Sequence, residues 1–116
     1  MNERECTRLV RIRATTPIPD INEHHRFLPC EHCGRFTYTP ERHHRRFRSR
    51  GGDWTPANIL LLCGPCHHAA TNEHPTATAD GLNVSSSDDP TDIPVRVWHT
   101  GLVYLNNHGE YTPHPR

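Results

Sequence analysis

The sequence predicts an α+β chain built on a small ββα unit that a metal ion, rather than a large apolar core, holds together. Three observations carry that expectation. The chain has 116 residues, of which 33% are hydrophobic, enough for one domain with a thin core. It has 11 prolines and 7 glycines, so its elements should be short and its connections irregular, a texture that usually needs disulfides or a metal. Four of the five cysteines form two CxxC pairs, Cys30/Cys33 and Cys63/Cys66, a spacing typical of zinc.

Residues 1–25 alternate in charge, contain Pro17 and Pro19, and show one weak apolar alternation at Leu9, Val10 and Ile12. They are expected to form an arm with at most a short strand or a turn of helix. From Phe27 the texture changes to that of a knuckle, a tight turn between Cys30 and Cys33 with Gly34 placed where closing around an ion needs positive φ. Residues 41–45 should be a short strand, and 46–57 a loop marked by Gly51-Gly52 and Thr55-Pro56. Residues 58–62 (NILLL) are too short and too uniformly apolar for an amphipathic helix, so they read as a second strand. Pro65 suits the first position of a helix over 66–72, closed by His74-Pro75. Strand, loop, strand and helix in that order make a ββα unit.

A short helical turn can follow at 76–79, and 85–94 (SSSDDPTDIP) has the composition of a linker. Beyond it, Val95 and Val97, then Leu102 and Tyr104 or Val103 and Leu105, alternate about a His99-Thr100-Gly101 turn, which reads as a β-hairpin. The division expected is an arm (1–25), a metal-bound core (26–76), and a linker with a C-terminal hairpin extension (77–116).

No apolar run approaches a membrane span, and the first residues lack the apolar centre of a signal peptide. The expected compartment is therefore the cytoplasm, where thiols stay reduced. The charges cancel, 13 basic against 13 acidic, so the total excludes nothing about a polyanionic partner. Their distribution says more: every basic residue is an arginine, and Arg42, Arg45, Arg46, Arg48 and Arg50 fall within nine residues. Arginine grips phosphate with a planar fork that lysine lacks, although a GC-rich genome would produce the same bias.

Two CxxC pairs can place four thiolates on one tetrahedral ion, leaving no open coordination position, so Cys30, Cys33, Cys63 and Cys66 are expected to hold a structural zinc. Such an ion can contribute on the order of 10 kcal/mol to folding. The competing reading is two unrelated redox pairs or disulfides; Cys6 has no evident partner.

The ordered set His43-His44, Gly51-Gly52, Asn58 before an apolar run, then Cys63-x-x-Cys66-His67 resembles the HNH endonucleases, which share the ββα-metal (His-Me finger) fold. The resemblance is specific between about residues 27 and 74, looks closest to small HNH proteins of actinobacterial phages and their hosts, and continues more weakly through Tyr111. It implies a metal-dependent DNA endonuclease that hydrolyses phosphodiester bonds, in a phage context assisting terminase in genome packaging. By position, His44 matches the general base, His43 and His67 match ligands of a catalytic divalent cation, and Asn58 matches the residue that bonds backbone across the loop and steadies the histidine strand. His68 and His74 compete with His67 for its role. Two imidazoles without a protein carboxylate would suit Mn2+, Ni2+ or Co2+ at least as well as Mg2+. Arg45, Arg46, Arg48 and Arg50 are candidate phosphate contacts, with Phe47 and Trp54 for packing or stacking. The competing function is a non-catalytic four-cysteine zinc module that binds DNA or a protein partner. His24, His25, His32, His99, His108 and His114 are expected to be ordinary surface or structural imidazoles.

Overall fold

A computed structural model describes residues 1–114. The N-terminal segment departs most from expectation. It is a 13-residue helix, α1 (Glu3–Thr15), capped by the Asn2 side chain, which accepts from the Glu5 amide at 2.8 Å. Cys6, Val10, Arg13 and Ala14 are its buried face, the i, i+4, i+7, i+8 spacing of a docked helix. Because an arginine and a cysteine sit within that stripe, its hydrophobic periodicity is weak in the sequence.

The first knuckle is flanked by a minimal ribbon, β1 (Leu28–Pro29) against β2 (Phe36–Thr37). Gly34 has φ +81° and its amide donates to the Cys30 carbonyl, as the turn chemistry requires. β3 (Glu41–His44) then pairs antiparallel with β4 (Ile59–Leu62), His43 opposite Leu60 and His44 opposite Ile59. All four residues of β4 are buried, and side-chain alternation explains how. Ile59 and Leu61 join Cys6, Val10, Ala14 and Leu28 under α1, while Leu60 and Leu62 join Ala70, Ala77, Leu82 and Val95 on the other face. The strand is thus a partition between two small cores.

Cys63 is the N-cap of α2 (Gly64–Thr71), and α3 (Pro75–Ala79) follows. The C-terminal hairpin is present as β5 (Val95–Val97) and β6 (Gly101–Leu105), with Val95, Val97, Val103 and Leu105 buried. A further strand, β7 (Tyr111–Pro113), extends it to three.

Two buried arginines tie the outer segments to the ββα unit. Arg13 makes a bidentate bond to Glu31 (2.7 and 2.9 Å) and donates to the carbonyls of Pro56 and Ile59. Glu31 also accepts from the Leu61 amide and the Tyr111 hydroxyl, so α1, the knuckle, β4 and β7 meet at one satisfied carboxylate. Arg45 is the second, and here the expectation of a phosphate contact fails. It is fully buried, and its guanidinium donates to the carbonyls of Gly81, Ala57, Pro90 and Ile93 at 2.8–2.9 Å. Burial pushes it down to about 9. With four of its five N–H groups bonded and the side chain buried, Arg45 cannot reach a nucleic acid; it straps residues 81–93, which overlap the 85–94 stretch read as a linker from composition, onto the core.

Candidate active site and metal centre

The two knuckles meet as the spacing predicts. The sulfurs of Cys30, Cys33, Cys63 and Cys66 all lie within 4.8 Å of one another, and none is disulfide-bonded. β1 and β2 present the first pair, and the end of β4 with the first turn of α2 presents the second. Burial pushes the Cys30 thiol up to about 11. It also raises Cys66, with the neighbouring sulfurs adding to the effect, because crowded thiolates repel without a cation. Four soft donors at this separation fit a tetrahedral ion such as zinc and leave no position for a substrate.

On the other side of α2, His43, His44, His67, Arg42, Arg48 and Thr71 line a cavity of about 180 Å³. Larger hollows exist, including one of about 550 Å³ over the C-terminal sheet beside Leu102 and Tyr111, but neither that one nor the groove beside Arg8 on α1 brings strand and helix histidines together. Successive residues of a regular strand face opposite ways, yet both His43 and His44 reach the cavity because β3 ends at His44 and the chain turns into the loop.

The rings of His43 and His67 are 5.3 Å apart, centroid to centroid, and edge to face. Each has its second nitrogen tied to an acceptor. Nε2 of His43 bonds the Leu82 carbonyl at 2.8 Å, and Nδ1 of His67 bonds the Glu41 carboxylate at 2.5 Å. A carbonyl and a carboxylate only accept, so each ring donates at that nitrogen, the outer contact that metal-ligating histidines make. Burial holds His43 down to about 4, so it is neutral and able to ligate at neutral pH. Glu41 was missed in the sequence because its role comes from register: it pairs with Leu62 at the end of β4, where the chain enters the helix that carries His67.

His44 packs edge to face on Trp54, 4.4 Å between centroids. Its Nε2 is buried without a hydrogen-bond partner. Burial lowers its pKa, and the cations of Arg48 and Arg42 lower it further, so the neutral form predominates. Arg42 and Arg48 both lie over this indole, 4.8 and 5.9 Å from its centroid.

Asn58 is fully buried and clamps the loop between the strands. Its Oδ1 accepts from the Arg46 amide at 2.7 Å, and its Nδ2 donates to the carbonyls of Arg46 and Asp53. It touches nothing in the cavity and is a positioning residue. Gly52 shares the clamp, since a Cβ there would lie 1.6 Å from the Arg46 carbonyl oxygen.

The arginine cluster divides. Arg48 is exposed at the cavity mouth, whereas Arg46 reaches the Asp88 and Gly51 carbonyls and Arg50 is paired with Glu73 at 2.8 Å. Arg42, outside the candidate phosphate set, lines the cavity and is held by Glu3 and Thr7 of α1. Of the competing histidines, His68 is exposed against Asn72, and His74 caps α3 by accepting from the Thr76 amide.

No curated protein and no solved structure matches this chain. Residues 30–73, which hold both knuckles, the two strands, the clamped loop and α2, do match the family model described as HNH endonuclease.

Proposed function

We propose that the chain is a metal-dependent DNA endonuclease in which His44 is the general base, and that residues 26–76 form its nuclease core. The observation that carries the reading is the convergence of His43 and His44 from β3 with His67 from α2 on one cavity, beside the exposed Arg48. The family's nucleases act on DNA, and the residues present suit that chemistry.

Hydrolysis of a phosphodiester needs a water stripped of its proton and a counter to the charge that builds on the phosphoryl and leaving oxygens. A divalent cation held by His43 and His67 would supply the second; Mn2+, Ni2+ and Mg2+ are the candidates, the imidazole pair favouring the first two. His44, neutral and wedged against Trp54, takes the proton from water. Arg48, and Arg42 once drawn from Glu3, meet the phosphate. Glu41 keeps the His67 ring turned so that one lone pair faces the cavity, and Asn58 keeps the loop from carrying His44 away. Cys30, Cys33, Cys63 and Cys66 would hold a zinc ion that ties α2 to the knuckle, with no open position for the reaction. The likeness to small phage proteins extends the proposal to genome packaging beside terminase, in the cytoplasm of the host; no helix among the described residues is long and apolar enough to cross a membrane.

Plasmid nicking with Mn2+ or Ni2+, comparing wild type with His44→Ala, tests the assignment. The variant should keep its zinc and its circular dichroism and lose cleavage by roughly 100-fold or more. Equal cleavage by both proteins rejects the base, and no cleavage by either points to a binding module.

A further inference from the structure

His32 lies inside the first knuckle, between Cys30 and Cys33, and takes no part in the chemistry above. Its Nδ1 is 3.4 Å from the Sγ of Cys66, and its Nε2 is 2.9 Å from the Asp80 carboxylate. A thiolate and a carboxylate are both acceptors, so a ring that bridges the two bonds both only with an N–H on each nitrogen. The side chains of His32 and Asp80 are only 20% exposed, which shields the contact from the screening that makes open surface pairs weak.

Asp80 is itself held in place. Its amide donates to the Thr76 carbonyl, its carbonyl accepts from the Arg96 amide, and its second carboxylate oxygen faces the Arg96 guanidinium at 3.4 Å. Gly81 follows with φ +80°, where a Cβ would meet the Pro94 carbonyl oxygen at 2.0 Å. The next residue, Leu82, gives its carbonyl to His43. This turn lies beyond the segment that matches the HNH family.

We propose that His32 and Asp80 form an outer-sphere relay of the four-cysteine centre, in which Asp80 orients His32 and His32 donates to the Cys66 sulfur, slowing loss of the ion. The proposal rests on reading the cluster as a zinc site. A [Zn(Cys)4] centre carries two net negative charges, and an N–H aimed at one sulfur delocalises part of that charge and discourages the sulfur from leaving the metal. The relay also explains why a histidine from one knuckle reaches a cysteine of the other: the contact closes the cluster across its two halves. Its far end lies in the turn whose next carbonyls hold Arg45 and His43, so the segment after the family match supports the metal centre directly.

The test is zinc release from the full zinc-loaded chain to a chromophoric chelator. His32→Phe keeps a ring and donates nothing; Asp80→Asn keeps the backbone bonds of the turn and removes the charge. Each should release zinc about 10-fold faster than wild type, at the lower end of outer-sphere effects, with the far-ultraviolet dichroism unchanged. Because Asp80 acts through His32, the double variant should release it no faster than His32→Phe alone. With Co2+ in place of zinc, the sulfur-to-metal charge-transfer band should move to lower energy in both single variants, since a thiolate without its N–H donor is more electron-rich. Wild-type release rates in either single variant overturn the relay, and so does an equal acceleration by Asp80→Asn in the His32→Phe background. A wild-type chain that retains no zinc overturns the zinc reading itself, which separates the two failures.

Discussion

His44 differs from the other histidines of this chain in what surrounds its ring. Burial against Trp54 and the cations of Arg48 and Arg42 depress its affinity for a proton. The sign for catalysis is direct. A general base works in its neutral form, and a lowered pKa keeps His44 neutral to more acidic pH, so the acidic limb of kcat/KM for nicking should fall below 6.5, the ordinary imidazole value. Arg48→Ala removes a nearby cation and should shift the limb upward while raising KM. A limb above 6.5 in the wild type would exclude His44 as the titrating base. At this scale the sequence was informative where residue type alone decides, as with four thiols or a histidine pair, and misleading where exposure decides. Arg45 and Arg48 are three residues apart in one basic run, but one is sealed among four carbonyls and the other opens to the cavity. Nothing in their local pattern separates them, because the carbonyls that claim Arg45 come mostly from residues 81–93.

Among the elements, the loop from Arg46 to Ala57 depends on two small features, the Asn58 amide and the missing side chain at Gly52. Gly52→Ala would force the Arg46 carbonyl away and break its bond to Asn58, shifting the end of β3 that carries His44. Displacements of about an ångström at a catalytic group can cost on the order of 100-fold in rate. Cleavage by Gly52→Ala should therefore fall by about that factor with zinc content unchanged, measured by metal analysis beside the nicking assay; full activity would show that the clamp does not position the base. The strands, the knuckle turn and α2 were legible because each is set by local chemistry: Gly34 at positive φ, a short apolar run, a proline early in a helix. Helix α1 was not, since its buried face includes Arg13, which is tolerated only because Glu31, Pro56 and Ile59 satisfy it. Partners 18 to 46 residues away leave no local trace.

For the molecule as a whole, the two thin cores on either side of β4 mean that zinc on the four cysteines would make metal binding and folding one process. An ion worth on the order of 10 kcal/mol matches the whole stability of an ordinary domain, about 5–15 kcal/mol. Stripping the zinc with a strong chelator under reducing conditions should abolish the cooperative thermal transition, and restoring zinc should recover it. A melting curve indifferent to chelation would show that apolar burial suffices. The ββα order and the four-cysteine centre were legible from spacing. The folding of both flanks onto the core was not, because it rests on Glu31, Arg13 and Arg45 acting across long separations.

The chain has two tryptophans, and each stands at a different centre. Trp54 touches His44, while Trp98 lies against Gly34 of the knuckle, so closely that a Cβ at Gly34 would be 2.9 Å from the indole. Each indole would consequently be an optical reporter for the metal proposed at its own centre. In Trp98→Phe, emission should come from the cavity alone and be quenched by paramagnetic Ni2+ entering it; in Trp54→Phe, emission should follow the loading of the cysteines, so that the filling of the two centres can be timed separately in one chain without an external label.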